Sequence, residues 1–475
     1  MLAGEKSNQN KAPQAACDFF RQALKVADSA HISMDPDKDR RIHQGLALAT
    51  VDIGDIDTAL EMCRKAIEIC QNHGLIAHEI ENLTMFASVK WFTPMNREEI
   101  IRSSEEGITR AKEVGDKGAE SQFLSNEGFY LCSLGHWFEG YNMMVEAEIM
   151  ALQTGNQRAV ATNRLRRACA ERWLGNPHKA IALTEGMIDA MSKIFYLTPL
   201  SALIFIRGLS LAEIGRIDEA VAALKHGVDL CEKHGVALHV GRLYNTLGYC
   251  YSEIHHPEEA WKWNLRGEAT ARKLMEQYLM GRQMAAEVVA QANVNLMENL
   301  FDQGNTEEAW DRIISFEEES KTPDYFRARD RWEARLDFLA SIILLQRGNV
   351  DRAWTRIEKN LEMSRREHTK KIEGRFLRLL GEAQMKRNEF DNAIRSLSEA
   401  ILILKEVGNP RQLWEAHASL ASVYHKLRHG DEAKDQWGAA ADIIRNTASG
   451  LSDQNLREGF LNAKPIQDIL AKTGS

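Results

Sequence analysis

One short phrase returns along the chain at a nearly constant interval, and a period of this kind confines a sequence to stacked-repeat architectures. The phrase is a turn residue, usually Gly, then polar residues, then an Ala that opens an amphipathic run. Clear copies are GDIDTA from Gly54, GNPHKA from Gly175, GRIDEA from Gly215, HHPEEA from His255, GNTEEA from Gly304 and GNVDRA from Gly348. Weaker copies lead to Ala16, Ile100, Gly140, Ala393 and Ala433. Most steps are 40 residues, with one of 49 between His255 and Gly304 and one of 44 before Gly348. The period therefore holds apart from an insertion.

Each unit carries two segments of helical periodicity, such as RLYNTLGYCY over 242–251 and EEAWKWNLRG over 258–267. Strand alternation is absent. A Gly closes the second helix in His73-Gly74, Val114-Gly115, His234-Gly235 and Val407-Gly408, and Asp or Asn in the turns can cap the next helix. The expected fold is all-α: a right-handed solenoid of ten to eleven helix-turn-helix units over 1–446, with a capping helix and tail over 447–475.

A 40-residue period also suits HEAT-like repeats, so the small residues have to decide, and they favour the tetratricopeptide type. With Gly241 as position 1, Tyr244, Leu247, Gly248, Tyr251, Ala260 and Gly267 fall where that family places its packing residues. The unit from Gly374 repeats the register with Leu380, Gly381, Ala393, Leu397 and Ala400. Small side chains at positions 8, 20 and 27 let neighbouring helices approach and interlock.

Composition then narrows the function. The net charge of −8 provides no basic footprint, and nucleic-acid binding relies on neutralising phosphates, so nucleic acid is not expected as a partner. Seven scattered cysteines without a C-x-x-C suggest neither a disulfide framework nor a zinc site, and read as small core residues in a reducing compartment. No apolar run resembles a signal peptide or a membrane span, which makes the cytoplasm the expected location. The Asn82-Leu83-Thr84 glycosylation pattern lies in an expected helix and carries no weight.

Catalytic motifs are missing. No G-x-x-x-x-G-K-[ST] occurs, and Gly4-Glu5-Lys6-Ser7 lacks its spacing. His255 and His256 are adjacent rather than i, i+4, so they read as a turn pair rather than metal ligands. Glu317–Glu319 and the Glu-Glu-Ala turns serve helix dipoles and solubility. The chain is expected not to be an enzyme and to hold no cofactor or metal. The cluster Arg164, Arg166, Arg167 and Arg172 reads first as a solvated face, and second as a contact for an anionic partner.

Binding is expected on the concave wall, where successive first helices line a groove. The family's groove positions fall here on Gln122, Ser125 and Phe129; Cys169, Arg172 and Trp173; Phe205 and Leu209; and Arg242, Asn245 and Tyr249. The candidate partner-binding set is Phe129, Arg172, Trp173, Phe205, Arg242, Asn245 and Tyr249, taking a protein or peptide segment or a small effector. Its four aromatics suit anchoring roles, with packing between helices as the alternative.

The long repeat, with turns such as GRIDEA and helix ends such as Glu232-Lys-His-Gly235, resembles the tetratricopeptide region of MalT-like regulators and of bacterial AAA or STAND signalling ATPases. Those proteins often carry a class III adenylate or guanylate cyclase domain upstream. Leu2–Lys6 and Phe20–Leu24 resemble the first repeat after the ATPase module. Leu451–Leu461 and Lys464-Pro465-Ile466 are similar to the family's closing helix. The resemblance implies a non-catalytic sensor region of a signalling ATPase or cyclase, although this chain has neither output motif. The alternative is a free-standing adaptor or co-chaperone-like scaffold.

Overall fold

The computed structural model describes residues 1–31, 33–94, 96–194 and 197–473. Among the described residues there are twenty-five α-helices, one 3-10 segment and no strand. They form eleven antiparallel pairs, from Leu2–Gln9 with Pro13–Ser29 to Pro410–Lys426 with Gly430–Ser449, followed by two short helices, Gln454–Asn462 and Lys464–Lys472.

Both departures from the period have a structural cause. The 49-residue step is absorbed by two long helices, Pro257–Gln277 and Arg282–Asp302, each of 21 residues where 17 or 18 is usual here. The 44-residue step contains the 3-10 segment Pro323–Phe326. One break was not legible in the pattern: the second helix of the fifth pair is split into Pro177–Thr184 and Met187–Ile194, with Gly186 at φ 68° between them.

Local chemistry sets the helix ends. Asn96 caps Arg97–Glu113 by accepting from the Glu99 N–H, while Glu99 accepts from the Asn96 N–H. Asn96→Ala should cost about 1 kcal/mol, read as a lowered urea midpoint; an unchanged midpoint would show that this helix end is held by packing alone. Within pairs, small residues permit contact: a Cβ on Gly140 would lie 2.2 Å from the Gly128 carbonyl oxygen. At Gly248 it would lie 2.2 Å from Asn264 Oδ1. All seven cysteines are buried and free.

The solenoid winds tightly enough for each turn of the superhelix to touch the next. The loop inside pair n meets the start of pair n+5. Ser133 accepts from the Ala328 N–H at 2.9 Å (pairs four and nine), and Leu174 accepts from the Lys370 N–H at 3.2 Å (pairs five and ten). The glycine of the repeated phrase takes part in this contact. Gly175 and Gly215 sit at φ 89° and 77°, and a Cβ there would come within 2.9 Å of Lys371 N and 2.7 Å of Pro410 Cγ. The left-handed φ alone favours Gly; the contact forbids a side chain. Gly304 and Gly348, in pairs eight and nine, have no pair five units further on, and nothing lies within 4 Å of a Cβ there.

Pair seven has His255-His256 in place of the glycine. His255 stands 6.4 Å from the Phe460 ring, and Gly459 lies against His256. The terminal helices thus take the place of a twelfth pair. Phe460 and Ile466 join a core that also holds Tyr251, Ile254 and Trp414, so the last turn is fastened to the one before it.

Candidate functional site

Because successive turns touch, the concave wall closes into an axial lumen. It contains two cavities, of about 500 Å³ and 410 Å³. Trp91, Phe129, Cys169, Phe205 and Arg242 line both and form the neck between them.

All seven candidate binding residues border the larger cavity. Trp173 lies between two guanidiniums, Arg172 at 4.2 Å and Arg331 at 4.7 Å. Phe129 stacks on Trp91 with centroids 5.0 Å apart. Arg242 stands 5.9 Å over the Phe205 ring, and Lys371 Nζ is 5.5 Å from the Tyr249 ring. The aromatics therefore both pack and face the lumen. Asn245 differs: its amide donates to the Val288 carbonyl at 2.9 Å and joins two first helices. Among the other groove positions, Cys169 and Leu209 border the larger cavity, Gln122 borders the smaller, and Ser125 is fully buried.

The arginine cluster is a solvated face only in part. Arg164 and Arg167 both bind Glu148, at 3.0 and 2.7 Å, and Arg172 binds Glu213 at 3.0 Å. Arg166 is buried and reaches the Gln122 carbonyl and Ser88. Arg164 and Arg167 stay partly exposed, at 40% and 25%, beside the second helix of pair four, whereas Arg166 and Arg172 are buried against neighbouring pairs.

The lumen wall is rich in charge. Eight basic side chains and seven carboxylates border the larger cavity. Glu287 receives Arg242 at 2.6 Å and Arg327 at 3.2 Å, with Arg331 at 3.8 Å. Burial raises the Glu287 carboxyl, but these three guanidiniums outweigh it and hold the group below its usual value. Asp302 goes the other way: burial exceeds the pull of Arg411 and pushes its carboxyl to about 6. Burial likewise raises Glu253 against Arg411 and Asn409. His239, on the smaller cavity, is depressed well below its ordinary value by burial and then by Arg242 and Arg327. It is neutral at pH 7.

Several wall residues lay outside the sequence candidates: Trp91, Glu287, Arg331, Arg335, Arg375 and Arg378. A signal for two of them existed. In the unit whose position 1 is Gly374, groove positions 2 and 5 are Arg375 and Arg378, and both reach the lumen. Trp91 caps the end of Ile76–Lys90, outside any groove position. Arg331 lies in the first turn of Arg329–Gln346, and only superhelix closure brings it beside Trp137 and Trp173.

Among the described residues no group of three or more His, Cys, Asp or Glu side chains could hold a metal ion, and no helix is long and apolar enough to cross a membrane. No family model matches the sequence, and no curated protein matches it. The fold does have relatives among solved structures. The Rap conjugation gene regulator of the plasmid pLS20, in complex with the Phr* peptide, superposes with a TM-score of 0.51 at 13% identity, covering 75% of this chain and 95% of that one. The Cut9-Hcn1 hetero-tetramer of the APC/C gives 0.51 at 13% identity over 100% of this chain and 95% of that one. This chain has a tetratricopeptide-type solenoid fold. At such identities the likeness concerns fold alone.

Proposed function

We propose that the chain is a non-catalytic receptor whose lumen takes a partner segment or small effector and passes occupancy on as a change of superhelix pitch. The observation that carries this reading is the composition of the lumen wall. Arg172 and Glu213 come from one superhelical turn and Lys371 from the next, all three in one buried ion cluster on the cavity. An occupant that prefers one spacing of the turns shifts the pitch by its differential affinity, and by no more than that. The Rap regulator, of similar fold, was solved with a peptide, which supports a binding role for a solenoid of this shape. With the resemblance to MalT-like regulators, the reading extends to a cytoplasmic sensor region of a signalling ATPase or cyclase.

The test is a random-peptide display selection on the immobilised full chain, with Leu209→Trp as counter-selection. Leu209 borders the larger cavity from Leu197–Glu213, and an indole there narrows it. Enrichment on the native chain should fall at least about tenfold on the variant, the loss of a modest buried contact set. Equal enrichment on both, with helix content unchanged by circular dichroism, would place binding outside the lumen.

A further inference from the structure

We infer that the lumen is a receptor for a small amphipathic monocarboxylate, its carboxylate held by Arg242 at the neck and Arg331 on the larger-cavity side of it, and its apolar body in the smaller cavity. This rests on the lumen reading above and specifies its ligand.

The first observation is an imbalance of groups beside the neck, on the side of the larger cavity. One hydrogen-bonding carboxylate, Glu287, faces three guanidiniums, and the nearby Asp330, which attracts Arg331, accepts from Trp137 Nε1 through its Oδ2 instead. Arg242 bonds to it at 2.6 Å. Arg327 bonds to it at 3.2 Å, donates to the Trp91 carbonyl, and stacks on the Trp91 ring at 3.7 Å. Arg331 is left without a hydrogen-bonded acceptor, although Asp330 attracts it. Its 3.8 Å approach to Glu287 is too long for a hydrogen bond, its Nε has no partner, and it borders the cavity at 7% exposure. A buried charge without hydrogen bonds is costly, and a second carboxylate would supply them.

The second observation is that Arg331 is already positioned. The Trp137 and Trp173 rings hold its guanidinium at 4.2 and 4.7 Å. A planar fork resting against two neighbouring rings loses little freedom on binding a carboxylate in bidentate fashion.

The third concerns what adjoins the neck. Leu48, Ile80, Met85, Phe92, Leu165 and Ile206 line the smaller cavity. Its 410 Å³ lies within the ~300–1,000 Å³ of small-molecule sites. The wall of the larger cavity carries one cation more than its carboxylates, which suits a single negative charge rather than a phosphate dianion. Enclosure by two superhelical turns in contact favours a small acid over a long chain.

Titration calorimetry on the full chain tests this with decanoate against decan-1-ol, and with N-acetyl-leucyl-phenylalanine as free acid against its amide. Decanoate should bind at least about tenfold more tightly than decanol, the ratio that one charge-assisted pair supplies. Arg331→Met should abolish that preference, and Arg331→Lys, which keeps the charge without the fork, should keep only part of it. The native comparison needs no variant, so a misfolded variant leaves the test intact. Equal binding of decanoate and decanol overturns the carboxylate site while the lumen reading stands. Preference for the dipeptide acid over its amide, with decanoate inert, overturns the small-acid source. Selected peptides that bind and are lost in Leu209→Trp, with every acid inert, overturn this inference alone. Failure of acids and peptides together overturns the receptor reading as well.

Discussion

Replacing Glu213 by Ala should destabilise the protein by about 3–5 kcal/mol, the cost of removing one partner of a buried ion cluster. Glu213 ends Leu197–Glu213 and is 1% exposed. Its Oε1 accepts Arg172 at 3.0 Å from the neighbouring pair and Lys371 Nζ at 2.5 Å from the next superhelical turn. Its backbone carbonyl accepts Asn409 at 2.9 Å, and Asn409 also binds Glu253. Alanine keeps the carbonyl and strands two cations. The loss falls on the seam between turns, so hydrogen exchange should accelerate first in Lys370–Lys386 and Pro410–Lys426, before Pro36–Ile53, which this cluster does not touch. Glu219→Ala, an exposed partner of Arg216, is the reference and should leave the urea midpoint nearly unchanged. A Glu213→Ala midpoint equal to that reference would mean that the seam is held by backbone contacts such as Lys370 N–H to Leu174 O, not by charge.

The contrast between those two glutamates shows what a sequence reading could reach. Both sit near the same turn, and a helix-periodic pattern marks both as polar. The period, the two helices of each unit and the groove register of Phe129, Trp173, Phe205 and Tyr249 are consequences of spacing within one repeat, and spacing is legible along a chain. Which residues meet at n+5 depends on superhelical pitch, the sum of small rotations between units, and no single repeat encodes it. Arg331, Trp91 and Glu213 fall in that second class. So does the meaning of the repeated glycine: its left-handed turn was visible, whereas its close approach to Lys371 or Pro410 was not. Arg164 and Arg167 are a different case: they stay partly exposed, and their shared partner Glu148 lies on the second helix of the adjacent pair. His255-His256 was legible as an exception to the glycine, and the C-terminal helices account for it.

Asp52→Asn should make the protein more stable at pH 8 and leave it unchanged at pH 4. Asp52 lies near the end of Pro36–Ile53, and its Oδ1 accepts both the backbone N–H of Thr198 at 3.0 Å and the Thr198 hydroxyl at 2.6 Å, fastening the second pair to the start of Leu197–Glu213. Burial pushes its carboxyl from 3.8 to about 6, against the lowering effect of these bonds. Between those values the folded chain keeps a proton that the unfolded chain has lost. The stabilising contribution is therefore complete below about pH 4 and disappears as pH rises through about 6, a change of about 3 kcal/mol for a shift of some two units. An asparagine oxygen can accept both Thr198 bonds and carries no charge to bury. The opposing force is the N-terminal dipole of Leu197–Glu213, which favours an anion by up to about 2 kcal/mol in partly buried geometry. Burial exceeds that, so the variant gains. Asp302, also raised to about 6, tilts both proteins alike, and the difference between variant and native urea midpoints across pH 4 to 8 cancels it. A difference that grows positive above pH 5 establishes that this inter-turn bond is made by a carboxylate held against its solvation. A negative difference at pH 8 would mean that the helix dipole governs the joint and that Asp52 belongs there as an anion.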